Sequence, residues 1–416
     1  MKSEVQTEGM QTVDGKKDKL ANALEAHAVS RRNFLKTSIA STAALSIGPF
    51  FLRNVSAAEN PHIKDWQVAP QRKEFNKDAI TLKCACYYPN AGDIGSGIHW
   101  ETFNFLENEF NGRLKFERYF GQSLHSLTDG FKALRAGLSH IAQAYPLNNQ
   151  GAFDLCMGDG LPFLYNNVAV ATQTMESMYP KWFKSEFEHQ GIYLGWIPFF
   201  DVQAIICKKP IRKMEDLKGQ RIMGFGGAVL RDTLIALGAT PVFTSAPDTF
   251  IALQRGVVDG VAWAAGSIIP WRFHEVAKYL TITGLSCTAI NYGINKEKFD
   301  SFTPDFQKEL YYKMRLAGNH MSEGYTKLED RGHKELHEKG VEIITLAPDE
   351  KARWHEVGDT IWEKFIAMNE KKGFKAREFA IDFKATAAKY NAMSIPELRS
   401  YVQDPKNMVH GIIDGF

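Results

Sequence analysis

Apolar and polar positions follow two rhythms along this chain, and from Ala79 onward the two take turns. Ala79 to Tyr87 alternates with period two and predicts a first strand. Pro89-Asn90-Ala91-Gly92-Asp93 then reads as a turn. Residues 97–109 carry a helical pattern, and Leu114 to Phe120 reads as a second strand. Residues 127–137 predict a helix closed by Gly137, and His140 to Tyr145 a third strand. This βαβαβ order predicts a mostly parallel sheet with helices on both faces. The same grammar restarts further on. Val202 to Lys208 and Gly219 to Phe225 read as strands. A helix from Ala228 to Leu237 stops at Gly238, and Thr240 to Phe243 is a strand. Pro247 to Arg255 is a helix stopped by Gly256, and Val258 to Trp263 is a strand. Two such halves predict two α/β lobes that share a pattern without a close sequence repeat.

A different rhythm begins at Thr303-Pro304-Asp305, a capping residue followed by proline at the first helical position. Phe306, Leu310, Met314, Ala317, Met321, Tyr325 and Leu328 form one apolar stripe at helical spacing. Continued to Lys339, this helix spans about 50 Å. One lobe is not that wide, so the helix is expected to bridge both. Gly318, Gly324 and Gly332 weaken it locally and make a kink an option. The tail, residues 372–416, is largely helical in pattern. It is expected either to wrap the second lobe or to form a dimer contact.

The N-terminus reads as an address. Ser30-Arg31-Arg32-Asn33-Phe34-Leu35-Lys36 resembles the twin-arginine export signal of bacteria. An uncharged, mildly apolar stretch follows to residue 52, and Val55-Ser56-Ala57-Ala58 offers small residues for cleavage. Removing residues 1–57 changes the charge. The formal net charge of +2 becomes −1, with 42 Lys+Arg left against 43 Asp+Glu. A near-neutral surface argues against nucleic acid or an anionic membrane surface as partner. Five cysteines (Cys84, Cys86, Cys156, Cys207 and Cys287) are an odd number for an exported chain, and they read best as buried small hydrophobes.

Catalytic patterns do not emerge. The chain has no Gly-x-Ser-x-Gly elbow, no P-loop and no His-Glu-x-x-His. Gly224-Phe225-Gly226-Gly227 opens a helix after a strand, where free amides suit an anion, but its spacing is not the dinucleotide fingerprint. His333 and His337 lie four apart among lysines and glutamates and read as a solvated face. What remains is a two-lobed exported protein whose cleft suits small-ligand binding with hinge closure. The alternative is a twin-arginine-exported periplasmic enzyme carrying a cofactor or metal.

Several segments then point one way. Met214-Glu215-Asp216-Leu217-Lys218-Gly219-Gln220-Arg221-Ile222, Leu237-Gly238-Ala239-Thr240-Pro241-Val242 and Ala252-Leu253-Gln254-Arg255-Gly256-Val257-Val258-Asp259-Gly260 resemble, in order, segments of the TRAP-transporter solute-binding proteins (the DctP-type family). So do Gly121-Gln122-Ser123-Leu124, Leu161-Pro162-Phe163-Leu164 and Phe273-His274-Glu275-Val276-Ala277-Lys278-Tyr279. The resemblance implies the two-lobed periplasmic-binding-protein fold, α/β in class, with hinge strands and a long lobe-spanning helix. It implies a periplasmic binding subunit, not an enzyme, that captures a small organic acid and delivers it to the membrane permease subunits of a sodium-coupled transporter. The expected division is a twin-arginine signal peptide at 1–57, lobe I at 79–201 plus 289–330, lobe II at 202–288 plus 331–371, and a C-terminal helical tail at 372–416.

Two departures matter. The family arginine that pairs with the ligand carboxylate falls on Met223, which cannot make a bidentate pair. Arg221, two residues earlier, is the candidate substitute. The asparagine that follows the Val-Asp-Gly motif is Trp263, and with Gln203 it resembles the keto-acid-type branch. That branch implies a sodium or calcium ion bridging the ligand, with Gln203 and Trp263 as candidate metal contacts, and no other cofactor. The candidate ligand-binding set is Gln203, Trp263, Met223, Tyr87, Asp93, Arg221, Phe225 and Gly226, with Asn90 beside them in the turn. An aromatic floor with few charges suits a ligand with an apolar or aromatic part.

Overall fold

The computed structural model describes residues 69–416 apart from short stretches at 89–93, 147–148, 150, 225–226 and 244–245. The arginine pair and the apolar leader after it, with Asn90, Asp93, Phe225 and Gly226, lie outside the described residues. β1 (Ile80–Ala85) leads to α1 (Ile94–Glu109) and β2 (Leu114–Tyr119). α2 (Gly130–Arg135) and β3 (Ile141–Gln143) complete the first repeat. The chain continues through α3 (Val168–Met178), α4 (Lys184–His189) and β4 (Ile192–Trp196) to β5 (Phe199–Val202).

Beyond Gln203 a second set begins with β6 (Ala204–Cys207) and β7 (Arg221–Gly224). α5 (Gly227–Ala236), β8 (Thr240–Val242), α6 (Ala246–Gln254) and β9 (Gly260–Trp263) follow. Next come α7 (Ala265–Ile268), β10 (Tyr279–Ile282), β11 (Cys287–Ala289) and β12 (Tyr292–Asn295). The last part holds α8 (Lys296–Asp300), α9 (Pro304–Glu338), β13 (Glu342–Thr345), α10 (Pro348–Glu370), α11 (Ala376–Asn391) and α12 (Ile395–Gln403).

The strands form a five-stranded sheet in the order β2-β1-β3-β12-β4 and a six-stranded sheet in the order β13-β10-β6-β9-β7-β8. The expectation of mostly parallel sheets needs correction. β1 pairs in parallel with β2 and β3, but β12 is antiparallel to both β3 and β4. In the second sheet β6 is antiparallel to β9 and β10, while β7–β8, β7–β9 and β10–β13 are parallel. The reason is the return path. The chain leaves the first sheet through β5 and re-enters it through β11 and β12, running the opposite way. β5 and β11 pair with each other as a separate antiparallel ribbon between the sheets.

Helix α9 runs unbroken for 35 residues from the predicted Thr303-Pro304 start. Its first half packs on α1 and α3 and its second half on α7 and β13, so it joins the two sheets' helical layers. Two glycines mark the crossings rather than a kink. A Cβ on Gly318 would stand 3.1 Å from Glu176 Oε1 and 3.2 Å from the Cβ of Trp196. At Gly332 a Cβ would lie 2.5 Å from the Cα of Gly266 and 2.7 Å from the carbonyl of Ala265, both backbone atoms that cannot turn away. Gly332→Ala is therefore expected to destabilise the protein by about 1–3 kcal/mol. Gly97→Ala, in α1 with nothing within 4 Å of the new methyl, is expected to stabilise it by up to about 1 kcal/mol. Chemical denaturation of the two variants checks the pair; equal midpoints would refute the close-crossing argument.

The tail does not wrap the second sheet. Phe379 and Phe383 of α11 pack on Trp182, Phe183 and Tyr165, and Tyr390 shares a 2.8 Å hydrogen bond with Ser177. α12 packs on α3, and Phe416 lies against Phe299 and Tyr311. Its apolar face is used on the first sheet's helices because those supply the larger aromatic surface. All five cysteines are buried and none is in a disulfide. Among the described residues no helix is long and apolar enough to cross a membrane.

Candidate functional site

The β5–β11 ribbon fixes where the two sheets meet. Val202 pairs with Cys287 and Phe199 with Ala289. The ladder continues one step past β5, where the Gln203 N–H donates to the Ser286 carbonyl at 2.7 Å. The Gln203 carbonyl accepts from Thr283 Oγ1 at 2.8 Å and from the Leu285 N–H at 3.2 Å. Gln203 is thus held by its backbone at the entry to the second sheet, with only 7% of its surface exposed. The next residue, Ala204, pairs with Trp263 across β6 and β9. Trp263 is half-buried and stands edge-on to Trp271 (5.8 Å) and Phe273 (5.5 Å). Gly224, the carboxyl end of β7, lies beside Ala262 in the same register. Strand ends of this kind are where open α/β sheets bind ligands. The structure therefore places Gln203 one residue before Ala204, the register partner of Trp263, at the hinge-side edge of the second sheet.

On the first sheet the corresponding edge is the end of β1 and β3. Tyr87, 36% exposed, follows β1, and its N–H donates to Gln143 Oε1 at 2.6 Å. Its ring meets that of Tyr88 edge-on at 5.4 Å. Tyr145 follows β3, and Tyr292 opens β12 beside Gln143. This edge is rich in phenols and amides, so it offers hydrogen bonds without fixed charge.

Two candidates fall elsewhere. Arg221 begins β7 at the end away from Gly224, and it is already spent. Its Nε and Nη2 donate to the Asp259 carboxylate at 2.9 and 2.8 Å, and its N–H donates to the same group at 2.9 Å. That pairing holds the Asp259 carboxyl below its ordinary range. Met223 is fully buried, packed in a core that includes Val258, Val261, Ile268 and Phe273. Strand alternation explains it: Ile222 faces the α5 side with Leu230 and Leu234, and Met223 faces the other core. Neither side chain is placed to replace the missing arginine.

Other polar groups sit at the hinge that the sequence did not single out. Asp159 is only 2% exposed, and its carboxylate accepts backbone N–H bonds from Gly160 and from Ala289 of the hinge ribbon. Burial pushes its pKa up to about 7. Asn291, between β11 and β12, is fully buried with no hydrogen-bond partner for either amide atom among the described residues. Leaving such an amide unmet costs about 1–3 kcal/mol, which a bound water or ligand repays. His99, Tyr292 and Tyr325 are joined by hydrogen bonds behind Tyr88. The one sequence signal for any of these is the place of Tyr325 in the apolar stripe of α9.

A bridging cation finds little here. Calcium takes six to eight oxygens, usually with carboxylates among them. Among the described residues no group of three or more His, Cys, Asp or Glu could hold a metal ion. Gln203 and Trp263 offer amide and backbone oxygens only, so these residues do not by themselves fit such an ion.

Comparison with known proteins agrees with this geometry. Residues 99–369 match the profile of bacterial extracellular solute-binding protein family 7 (DctP). The 2,3-diketo-L-gulonate-binding periplasmic protein YiaO of Escherichia coli K12 is 23% identical over 273 residues, 64% of this chain and 81% of that protein. The C4-dicarboxylate-binding periplasmic protein DctP of Rhodobacter capsulatus is 24% identical over 285 residues, 64% of this chain and 81% of that protein. Among solved structures, a marine metagenome TRAP solute-binding protein specific for aromatic acid ligands, in complex with 3-hydroxybenzoate, superposes with a TM-score of 0.67. It is 21% identical and covers 75% of this chain and 99% of its own. The chain belongs to the family 7 (DctP) extracellular solute-binding proteins, which are binding proteins and not enzymes.

Proposed function

We propose that this binding protein captures a small organic acid, an aromatic monocarboxylate before other classes, between the hinge-side edges of its two sheets. It then hands the solute to the membrane permease of a sodium-coupled TRAP transporter, in the periplasm, after export by the twin-arginine route. The observation that supports the reading is that the β5–β11 ribbon enters the second sheet at Gln203, one residue before the register partner of Trp263. Trp263 and Trp271 offer aromatic surface there, backed by the buried Phe273, and Tyr87 and Tyr88 offer a second aromatic surface on the first sheet's edge. A flat apolar ring suits those surfaces. With Met223 buried and Arg221 held by Asp259, the carboxylate is met by neutral donors: the Gln203 amide, tyrosine hydroxyls and the amides that open α5 after Gly224. The relative that holds 3-hydroxybenzoate supports the aromatic class; the diketogulonate and C4-dicarboxylate relatives make those acids the natural competitors.

A thermal-shift screen of the chain from Ala58 tests this, with benzoates, keto acids, sugar acids and C4-dicarboxylates, each with and without sodium or calcium. A ligand at 100 times its Kd adds about 2.7 kcal/mol, a shift of several degrees. Stabilisation by C4-dicarboxylates alone would overturn the aromatic assignment. A shift that requires calcium or sodium would restore the bridging ion. Trp263→Ala is expected to weaken binding of the winning acid roughly tenfold, about 1.4 kcal/mol, and to lower the melting temperature of the free protein through its lost packing on Trp271 and Phe273. Titration calorimetry reads this, and unchanged affinity would remove Trp263 from the site.

A further inference from the structure

Among the described residues, the Tyr87–Tyr88 edge, the hinge strand β12 and the long helix converge on the ring of His99. It lies in the second turn of α1, fully buried. Its Nδ1 is 2.7 Å from the hydroxyl of Tyr292, the first residue of β12 where the chain re-enters the first sheet. Its Nε2 is 2.8 Å from the hydroxyl of Tyr325 on α9. Tyr88, next to Tyr87 at the end of β1, stacks on the imidazole with centroids 4.3 Å apart and planes at 23°. Tyr325 in turn packs on Phe200 of the hinge strand β5, centroids 5.8 Å apart.

The hydrogen atoms in this network can be placed. A neutral imidazole has one donor and one acceptor. Tyr292 directs its hydroxyl proton at Cys86 Sγ, 3.5 Å away. Its oxygen is then left to accept from His99, which places the imidazole proton on Nδ1. Nε2 becomes the acceptor, and Tyr325 donates to it. The chain Tyr325 → His99 → Tyr292 → Cys86 runs in one direction with every donor matched. No rotation of one tyrosine is free of the others.

We infer that His99 is a positioning residue of the solute cleft: as the Nδ1–H tautomer it locks the Tyr87–Tyr88 edge, the hinge strand β12 and helix α9 into one frame. The inference rests on the solute-binding reading for its purpose, but not for its test. Lobe closure around a ligand needs one side that does not yield. The frame supplies it, because Tyr325 is shared between the imidazole and the hinge strand. Phenylalanine at 99 would keep a flat ring against Tyr88 and lose both hydrogen bonds.

The experiment uses ligand-free protein. With histidines labelled with ¹⁵N, the His99 signals, assigned by their loss in His99→Phe, are expected to show the Nδ1–H tautomer. Nε2–H breaks the chain and overturns the inference. Hydrogen–deuterium exchange is expected to quicken at least tenfold over residues 86–88 in His99→Phe, and to a smaller degree in Tyr325→Phe, with β1–β3 exchanging as in the unchanged protein. Exchange that stays the same in that segment, or quickens evenly through the first sheet, means a packing role only. Tyr325→Phe loses one hydroxyl, so it keeps the test open if His99→Phe does not fold. Failure to bind any organic acid would sink the proposed function and leave these outcomes readable.

Discussion

Glu176→Ala is expected to cost about 3–5 kcal/mol of stability. Glu176 on α3 meets Arg315 on α9 at 3.3 Å, and both are almost fully buried. Arg315 Nε and Nη2 have no hydrogen-bond partner among the described residues. Burial pushes the Glu176 carboxyl up and Arg315 pulls it down, with burial the larger effect. The pair therefore holds itself together in a poor solvent for charge. Remove the carboxylate and an uncompensated guanidinium stays in the core. Remove both, as in Glu176→Leu with Arg315→Met, and the desolvation cost goes with them. The double variant is expected within about 1 kcal/mol of the starting protein. A double-mutant cycle by chemical denaturation reads the coupling. A loss under 1 kcal/mol for Glu176→Ala, or a double variant as unstable as the single one, would show that water already satisfies the site.

That pair also explains part of what the sequence hid. The apolar stripe, the Thr303-Pro304 start and the length of α9 are legible because helix periodicity and capping are local. The purpose of its glycines is not. Gly318 makes room for Glu176 and Trp196, and Gly332 for the backbone of α7. Both read in sequence as weak points, since a close approach by a distant segment leaves no local trace. The strand-helix alternation from Ile80 to Trp263 was readable for the same local reason, whereas the direction of β12 depends on a return path set 90 residues earlier.

The site divides along the same line. The places of Gln203 and Trp263 at strand ends are legible because each stands beside a recognisable strand. Arg221 looked available because Asp259 is 38 residues away in sequence, and only the β7–β9 register brings the two together. Met223 shares a strand face with Arg221, but that face turns into a core rather than toward the hinge. His99 stood in a helical pattern as one histidine among twelve. Its three tyrosines come from three separate elements, so no spacing links them.

The pH dependence of stability carries the other large effect, and its sign follows from burial. Burial pushes Asp159 up to about 7 and Glu101 up to about 8. Glu101 is only 1% exposed, with no hydrogen-bond partner for either carboxylate oxygen among the described residues. In the unfolded chain both groups ionise near pH 4. The folded protein therefore binds more protons between pH 4 and 8, and these two groups make stability fall as pH rises through that window. Histidines act the other way. Burial lowers His99 to about 3 and His320 to about 4, and His140, His274, His333 and His355 are lowered too. Kept neutral when folded, they cost stability as pH drops below the unfolded value near 6.5. Burial raises Glu107, Glu176, Glu186 and Glu188 too, so six acids oppose the six histidines below 6.5, and above 6.5 the raised acids alone still titrate. Stability is expected to drop from pH 6.5 toward pH 8 at up to about 1.4 kcal/mol per pH unit for each ionising carboxyl, roughly 2 kcal/mol from Glu101 alone. Glu101→Gln should be more stable than the unchanged protein at pH 8 and lose less between 6.5 and 8. Asp159→Asn should flatten the stretch up to about 7 most, because a carboxyl with a pKa of about 7 is half ionised there and contributes progressively less above it. Denaturant midpoints at pH 5, 6.5 and 8 decide it. A protein equally stable at 6.5 and 8, or a Glu101→Gln variant with the same alkaline slope, would mean that Glu101 stays ionised and finds a partner in solution.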